Sequence, residues 1–162
     1  MTRLLVVHHS PTSGTAKLAE TALAGARDES IVGVEVVERP ALSATADDVL
    51  EADAVLLGTS ANFGYMSGAL KHFFDSTFLQ IGGALDAGGG GAASTAGSRK
   101  PYGLWVHGRY DTSGAVRSVQ SIVQALPWTQ AAPVLEVMGD VDQPALDQAY
   151  ELGATLSALI AD

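Results

Sequence analysis

The sequence predicts a three-layer α/β/α sandwich, a five-stranded parallel sheet with helices on both faces, and three observations predict it. β-branched or aliphatic runs of strand length recur five times along the 162 residues. The segments between them repeat their apolar residues at helical spacing, so the chain alternates strand and helix. The first, third and fourth runs are almost uniformly apolar, which suits strands covered on both faces. Such alternation is satisfied by parallel strands joined through right-handed crossovers, with helices on either side.

The elements follow in order. "RLLVVH" (3–8) opens the sheet, and a helix follows in which Leu18, Ala19, Ala22, Leu23 and Ala26 share one face; Thr12 or Ser13 signals its start. "IVGVEVVE" (31–38) is the second strand, and Thr45 with Asp48 three residues on has the capping-box spacing of a helix start. "DAVLLGT" (53–59) is the third strand; Ser67 then caps a helix burying Ala69, Leu70, Phe73 and Phe74. "YGLWVH" (102–107) is the fourth, followed by a helix carrying Val116, Val119, Ile122, Val123 and Leu126. "PVLEVM" (133–138) is the fifth, and Asp142 with Pro144 opens the last helix, whose apolar positions are Leu146, Ala149, Tyr150, Gly153, Leu156 and Ile160. One domain spanning 1–162 accounts for all of it. The segment 82–98 breaks the rhythm with seven glycines; it reads as a surface loop, either a tolerated linker or a flap near a site.

Composition excludes several classes of function. Cysteine is absent, which removes disulfides, thiolate catalysis and Cys-ligated metals. Eighteen acidic against nine basic residues give a formal charge of −9, with the cations scattered, so nucleic acid and anionic membrane surfaces are poor partners. No apolar run approaches the roughly 18 residues of a membrane span. The amino-terminal "MTRLLVVHHSP" reads as a strand rather than the apolar region of a signal peptide, so cytoplasmic residence is expected. His8, His9, His72 and His107 show no metal-ligand spacing, and no metal site is expected; His8 and His107 end strands, where they either meet or are held separately by hydrogen bonds. Ser10 and Ser60 lack the nucleophile-elbow context of a serine hydrolase. Trp105, in mid-strand, reads as core.

In an open sheet of this kind ligands bind beyond the carboxyl ends of the strands, where the strand order reverses. After strand one, "SPTSGT" leads into a helix. A helix start offers unpaired N–H groups and partial positive charge, short hydroxyls add donors, and Gly14 lets an anion approach the backbone. The spacing is neither a dinucleotide glycine motif nor a P-loop. After strand three, "GTSANFGYMSGALKHFFD" (58–75) places Phe63 and Tyr65 around Gly64, where aromatic faces could stack on a planar ring or, with Met66, staple the loop to the core. After strand four, "HGRYDTSGA" offers Gly108 for a tight exit and Tyr110 as another aromatic. Three loops thus converge on one edge.

With those residues in place the sequence resembles the flavodoxin-like family over nearly its whole length. The family's phosphate loop has the form [ST]-x-T-G-x-T or a close variant after strand one, and Ser10, Thr12, Ser13, Gly14 and Thr15 stand in it. The segment after strand three is similar to the quinone-reductase branch, the tryptophan-repressor-binding-protein type, whose loop reads about P-T-R-F-G-N-M-S. Phe63, Gly64, Met66 and Ser67 match; Ser60 and Ala61 replace the Pro and Thr, Asn62 the Arg, and Tyr65 the Asn. The T-S-G-x-x-G element appears as "HGRYDTSGA", with His107, Gly108 and Tyr110 nearest the flavin. The resemblance implies strand order 2-1-3-4-5, a short-chain form without an insertion in the fifth strand, and FMN as cofactor. Its implied function is electron transfer, or NAD(P)H-dependent reduction of a quinone-like or other small acceptor, with the flavin rather than any side chain carrying the chemistry. The partners it implies are a redox protein or a small-molecule acceptor, and homo-oligomers occur in that branch. The rival reading is a flavodoxin-fold binding or regulatory module without flavin.

Overall fold

The computed structural model describes residues 1–92 and 99–161. Among them strands and helices alternate as β1 (Thr2–His8), α1 (Ser13–Ala26), β2 (Val34–Pro40), α2 (Ala46–Leu50), β3 (Ala54–Asn62), β4 (Tyr65–Met66), α3 (Gly68–Thr77), β5 (Lys100–Gly108), α4 (Ser113–Val123), β6 (Trp128–Gln130), β7 (Leu135–Met138) and α5 (Gln143–Ala158). The central path runs β2-β1-β3-β5-β6 with parallel neighbours. That is the expected order of five strands, with two differences.

The first difference is at the edge, where the expected fifth strand is two. Lys100 faces Trp128, whereas Trp105 faces Leu135, so the register against β5 slips by two residues between β6 and β7. The slip falls on residues 131–134, where Pro133 has no N–H to donate, and an edge strand tolerates such an interruption. The second is β4, which folds back antiparallel onto the end of β3.

Alternation along the strands sorts the core into two halves. Leu5, Val7, Val55, Leu57, Leu104 and Val106 pack under Leu70, Phe73 and Phe74 of α3 and Val119 and Val123 of α4. Leu4, Val6, Ala54, Leu56, Trp105 and Val137 pack under α1 and α5. Strand interiors of β1 and β3 are fully buried, as their unbroken apolar sequence requires, while the edge strand β2 alternates between partly buried and exposed. Two close approaches set the second half. A Cβ on Gly58 would lie 2.0 Å from the Trp105 ring, so the indole packs directly against that strand. A Cβ on Gly153 would lie 1.9 Å from the Ala22 carbonyl oxygen, so α5 and α1 pack backbone to backbone. Tyr150, assigned by its spacing to the buried face of α5, is instead exposed, and its phenol donates to Asp28 at 2.5 Å beyond the end of α1.

The described part of the glycine-rich segment lies at the other end of the sheet from the strands' carboxyl ends. Its described part, 82–92, makes a tight turn in which the Asp86 carboxylate accepts the N–H groups of Gly88 and Gly90, both at 2.9 Å. Gly82 abuts Pro127 and Gly91 abuts Ala125, where the chain enters β6. Residues 93–98 lie outside the described residues.

Candidate functional site

The start of α1 is built by its own hydroxyls. Thr12, the N-cap, accepts the N–H of Thr15 at 3.2 Å, and Thr15 Oγ1 accepts the N–H of Thr12 at 3.1 Å, with the two hydroxyls 2.8 Å apart. This reciprocal cap uses both threonines on the helix itself. The first-turn donors it leaves free are the N–H groups of Ser13 and Gly14, beside the exposed Ser13 hydroxyl, and no acidic side chain occupies the turn. Ser10 is turned elsewhere: its hydroxyl bonds His8 Nδ1 at 2.7 Å, and His8 Nε2 reaches Glu38 at 2.9 Å. His8 and His107 do not meet, because β3 runs between their strands.

The segment after β3 is a hairpin. Ala61 pairs with Met66 and Asn62 with Tyr65, which leaves Phe63 and Gly64 as a two-residue loop. Both have positive φ, +50° and +76°, the requirement of a type I′ turn. Glycine meets that requirement freely; phenylalanine does not. Phe63 is nevertheless held there with its ring fully exposed. The turn is fixed from outside by Gly114, at the start of α4, where a Cβ would strike the Gly64 carbonyl oxygen at 2.0 Å. Inside the hairpin, Thr59 Oγ1 accepts the Ser67 N–H at 2.9 Å, and Ser67 caps α3. Met66 is buried in the core under this cap, Tyr65 is half-exposed, and neither lines the cleft described next.

β5 ends at His107 and Gly108. His107 Nε2 bonds the Gly139 carbonyl oxygen at 2.7 Å. Its Cε1 stands 3.1 Å from where a Cβ on Gly14 would be, so the ring lies against the start of α1. Gly108 faces Ala61 across the strands, where a Cβ would come within 3.0 Å. Beyond it Tyr110 projects almost entirely into solvent. Arg109 pairs with Asp140 at 2.9 Å, tying this loop to the one after β7. Hydrogen bonds from the Ser113 hydroxyl and N–H hold the Asp111 carboxyl below the usual carboxylate range.

Together these loops enclose an open cleft of about 760 Å³ at the carboxyl edge of the sheet. It brings together Thr12, Ser13, Gly14 and Thr15 from the first loop, Ser60 to Gly64 from the second, and His107, Gly108 and Tyr110 from the third. Ser10, Tyr65 and Met66 are outside it. None of the described residues 82–92 lines it, so the described part of the glycine-rich segment forms no flap over this cleft. Lys17, Arg109, Asp111 and the Gly139-Asp140-Val141 loop line it without having been singled out from sequence. Lys17 lies one helical turn past Ser13. Glycine just after "LEVM" is a turn-type residue, but only the return of β7 alongside β5 brings this loop to the site.

One polar atom there is unsatisfied: Ser60, 8% exposed, has a buried Oγ with no hydrogen-bond partner. Such an atom carries a desolvation cost unless a ligand completes it. Among the described residues no three His, Asp or Glu side chains converge to hold a metal ion, and no helix is long and apolar enough to cross a membrane.

Comparison with known proteins agrees with this architecture. No family model matches the chain. A flavodoxin of Aquifex aeolicus is 37% identical over 86 residues, 53% of this chain and 45% of the relative. An NAD(P)H dehydrogenase (quinone) of Acidithiobacillus ferrooxidans is 30% identical across 48% of each protein. The chain therefore spans about half the length of the curated relatives it matches. Among solved structures, a flavodoxin from the domain Archaea superposes with a TM-score of 0.74 at 18% identity over 96% of both chains. The chain has the flavodoxin-like fold, with its sheet order and flanking helices.

Proposed function

We propose that this flavodoxin-like chain, a single domain over 1–162 working in the cytoplasm, binds FMN in the carboxyl-edge cleft and passes electrons to a redox protein or a small quinone-like acceptor. The observation that carries the reading is the pairing of a bare helix start with two exposed aromatic rings, Phe63 and Tyr110, on separate loops of one cleft. The residues fit the group. Ser13 and Gly14 offer N–H donors and a hydroxyl to a phosphate, and the lack of a side chain at Gly14 makes room for the His107 ring and Val141 against the helix start. Ser60 offers an unpartnered hydroxyl to the polar part of the ligand. The two aromatics offer faces to a planar ring system. FMN, when bound, supplies the electron transfer; the protein orients it, limits water at its faces and sets the field around it. Lys17 at the rim, in no ion pair among the described residues, offers a cation to an anionic reductant, which supports NAD(P)H as donor, while Arg109 is already paired with Asp140. The similarity to a quinone-reducing dehydrogenase points the same way.

The test is reconstitution. Purified apoprotein incubated with FMN and desalted should retain flavin absorbance in the visible and quench flavin fluorescence. A colourless product overturns the reading and leaves the binding module without flavin in its place. With FMN bound, anaerobic mixing with NADPH or NADH separates a reductase, which bleaches rapidly, from a carrier, which does not.

A further inference from the structure

His107 occupies a chemically specific position. Its Nε2 faces the Gly139 carbonyl oxygen at 2.7 Å, and a carbonyl only accepts, so Nε2 carries a proton in both the neutral and the charged ring. The neutral ring is thereby fixed in one tautomer, with a lone pair on Nδ1. That Nδ1 stands 3.6 Å from where a Cβ on Gly14 would be, at the helix start with its free N–H groups, and has no hydrogen-bond partner among the described residues. Directly across the ladder from His107 is Ser60, with its buried, unpartnered Oγ. Two polar side chains, one from each of two adjacent strands, thus await a ligand atom in front of α1.

We propose that His107 is a proton-coupled ligand for a phosphate monoester: the dianion docks on the Ser13 and Gly14 N–H groups and draws one proton from solvent onto Nδ1, which then donates to a phosphate oxygen. This rests on the reading that the phosphate of FMN sits at the start of α1. A neutral His107 would present its lone pair to the dianion, so binding without the proton is opposed. The other charged groups around the ring leave Nδ1 to the ligand. Lys17 of α1 is a cation; Arg109 and Asp140 are paired with each other; Asp111 accepts from Ser113. On the flanking strands, Glu136 accepts the Thr112 hydroxyl and His8 is held by Glu38 and Ser10, while the end of β3 contributes no charge.

Calorimetry of FMN binding to the apoprotein at pH 8, in buffers of different ionisation enthalpy, counts the proton. At that pH the phosphate is already a dianion, its second ionisation lying near 6. The expected result is uptake of about 0.2 to 0.8 of a proton per FMN, with affinity rising about three- to twentyfold from pH 9 to pH 7, since a nearby opposite charge favours the charged imidazole by about one to two units. Riboflavin, lacking the phosphate, should bind with no uptake. His107→Gln keeps an N–H for Gly139 but cannot take the proton, and its FMN affinity should be flat over that range. Uptake below about a tenth of a proton, or uptake that persists in His107→Gln, overturns the proposal while leaving FMN binding intact. If FMN does not bind, the functional reading fails by itself. The His107 proposal is then decided by NMR titration of its imidazole with and without inorganic phosphate: phosphate should move the midpoint upward, and an unmoved midpoint overturns it.

Discussion

Replacing Phe63 by asparagine should stabilise the protein and weaken its ligand at the same time. Phe63 and Gly64 form the two-residue turn of the β3–β4 hairpin, both with positive φ. A left-handed conformation costs an ordinary L-residue roughly 1–2 kcal/mol, whereas asparagine adopts it readily in this turn type. The Phe63 ring is fully exposed, so no buried contact is lost to offset the gain. The net effect is about 1 kcal/mol, which for a protein of this size raises Tm by about 2–4 °C. Loss of a stacking face costs about 1–3 kcal/mol of binding, or about 5- to 150-fold in Kd, by analogy with bases on aromatic side chains. Thermal unfolding of the ligand-free protein and fluorescence titration with FMN measure the two effects separately. Phe63→Ala is the control: it should lose affinity without gaining comparable stability, because alanine is also strained at this φ. A lower Tm for Phe63→Asn, or an unchanged Kd, would refute the view that this residue keeps a strained conformation for the sake of the site.

Two further substitutions test the scaffold. Gly153→Ala should destabilise the fold by about 1–3 kcal/mol through overpacking, despite alanine's better helix propensity, because its Cβ would stand 1.9 Å from the Ala22 carbonyl oxygen and force α1 and α5 apart; a urea midpoint equal to wild type would count against that packing. Asp28 has its pKa lowered from 3.8 to about 2 by hydrogen bonds from the Ser30 hydroxyl and then the Tyr150 phenol. A carboxyl with a depressed folded pKa contributes stability that is present above its unfolded value and lost as pH falls through the folded one. Wild type should therefore lose stability more steeply than Asp28→Asn between pH 3.8 and about 2, and the two urea midpoints should converge at the acid end; parallel curves would show that the Asp28 bonds contribute nothing to folding.

The amino-acid order by itself determined most of the framework. The buried faces of α1 and α3 are the residues that period 3.6 marks, and Thr45 with Asp48, Ser67 and Asp142 cap their helices where local spacing puts them. These features arise between residues a few positions apart, so one dimension suffices to read them. The sheet order 2-1-3-4-5 and the expectation of FMN rest instead on the resemblance to the flavodoxin-like family, and the sheet path agrees with that order. The convergence of three loops also followed, because parallel strands put their carboxyl ends on one edge.

Tertiary structure decided what depends on partners distant in the chain. The break between β6 and β7 exists only as a register slip against β5, and the loop 139–141 reaches the cleft only because β7 returns beside that strand. Thr12 and Thr15 have the composition of anion ligands, yet their geometry commits them to each other, and the free donors pass to Ser13 and Gly14. The strain at Phe63 is invisible in a pattern of residue types, since it is imposed by a two-residue turn wedged against Gly114. Periodicity reports which face of an element is apolar; which atoms remain unpaired once the elements meet is settled by long-range packing, and the chemistry of this cleft lies in those atoms.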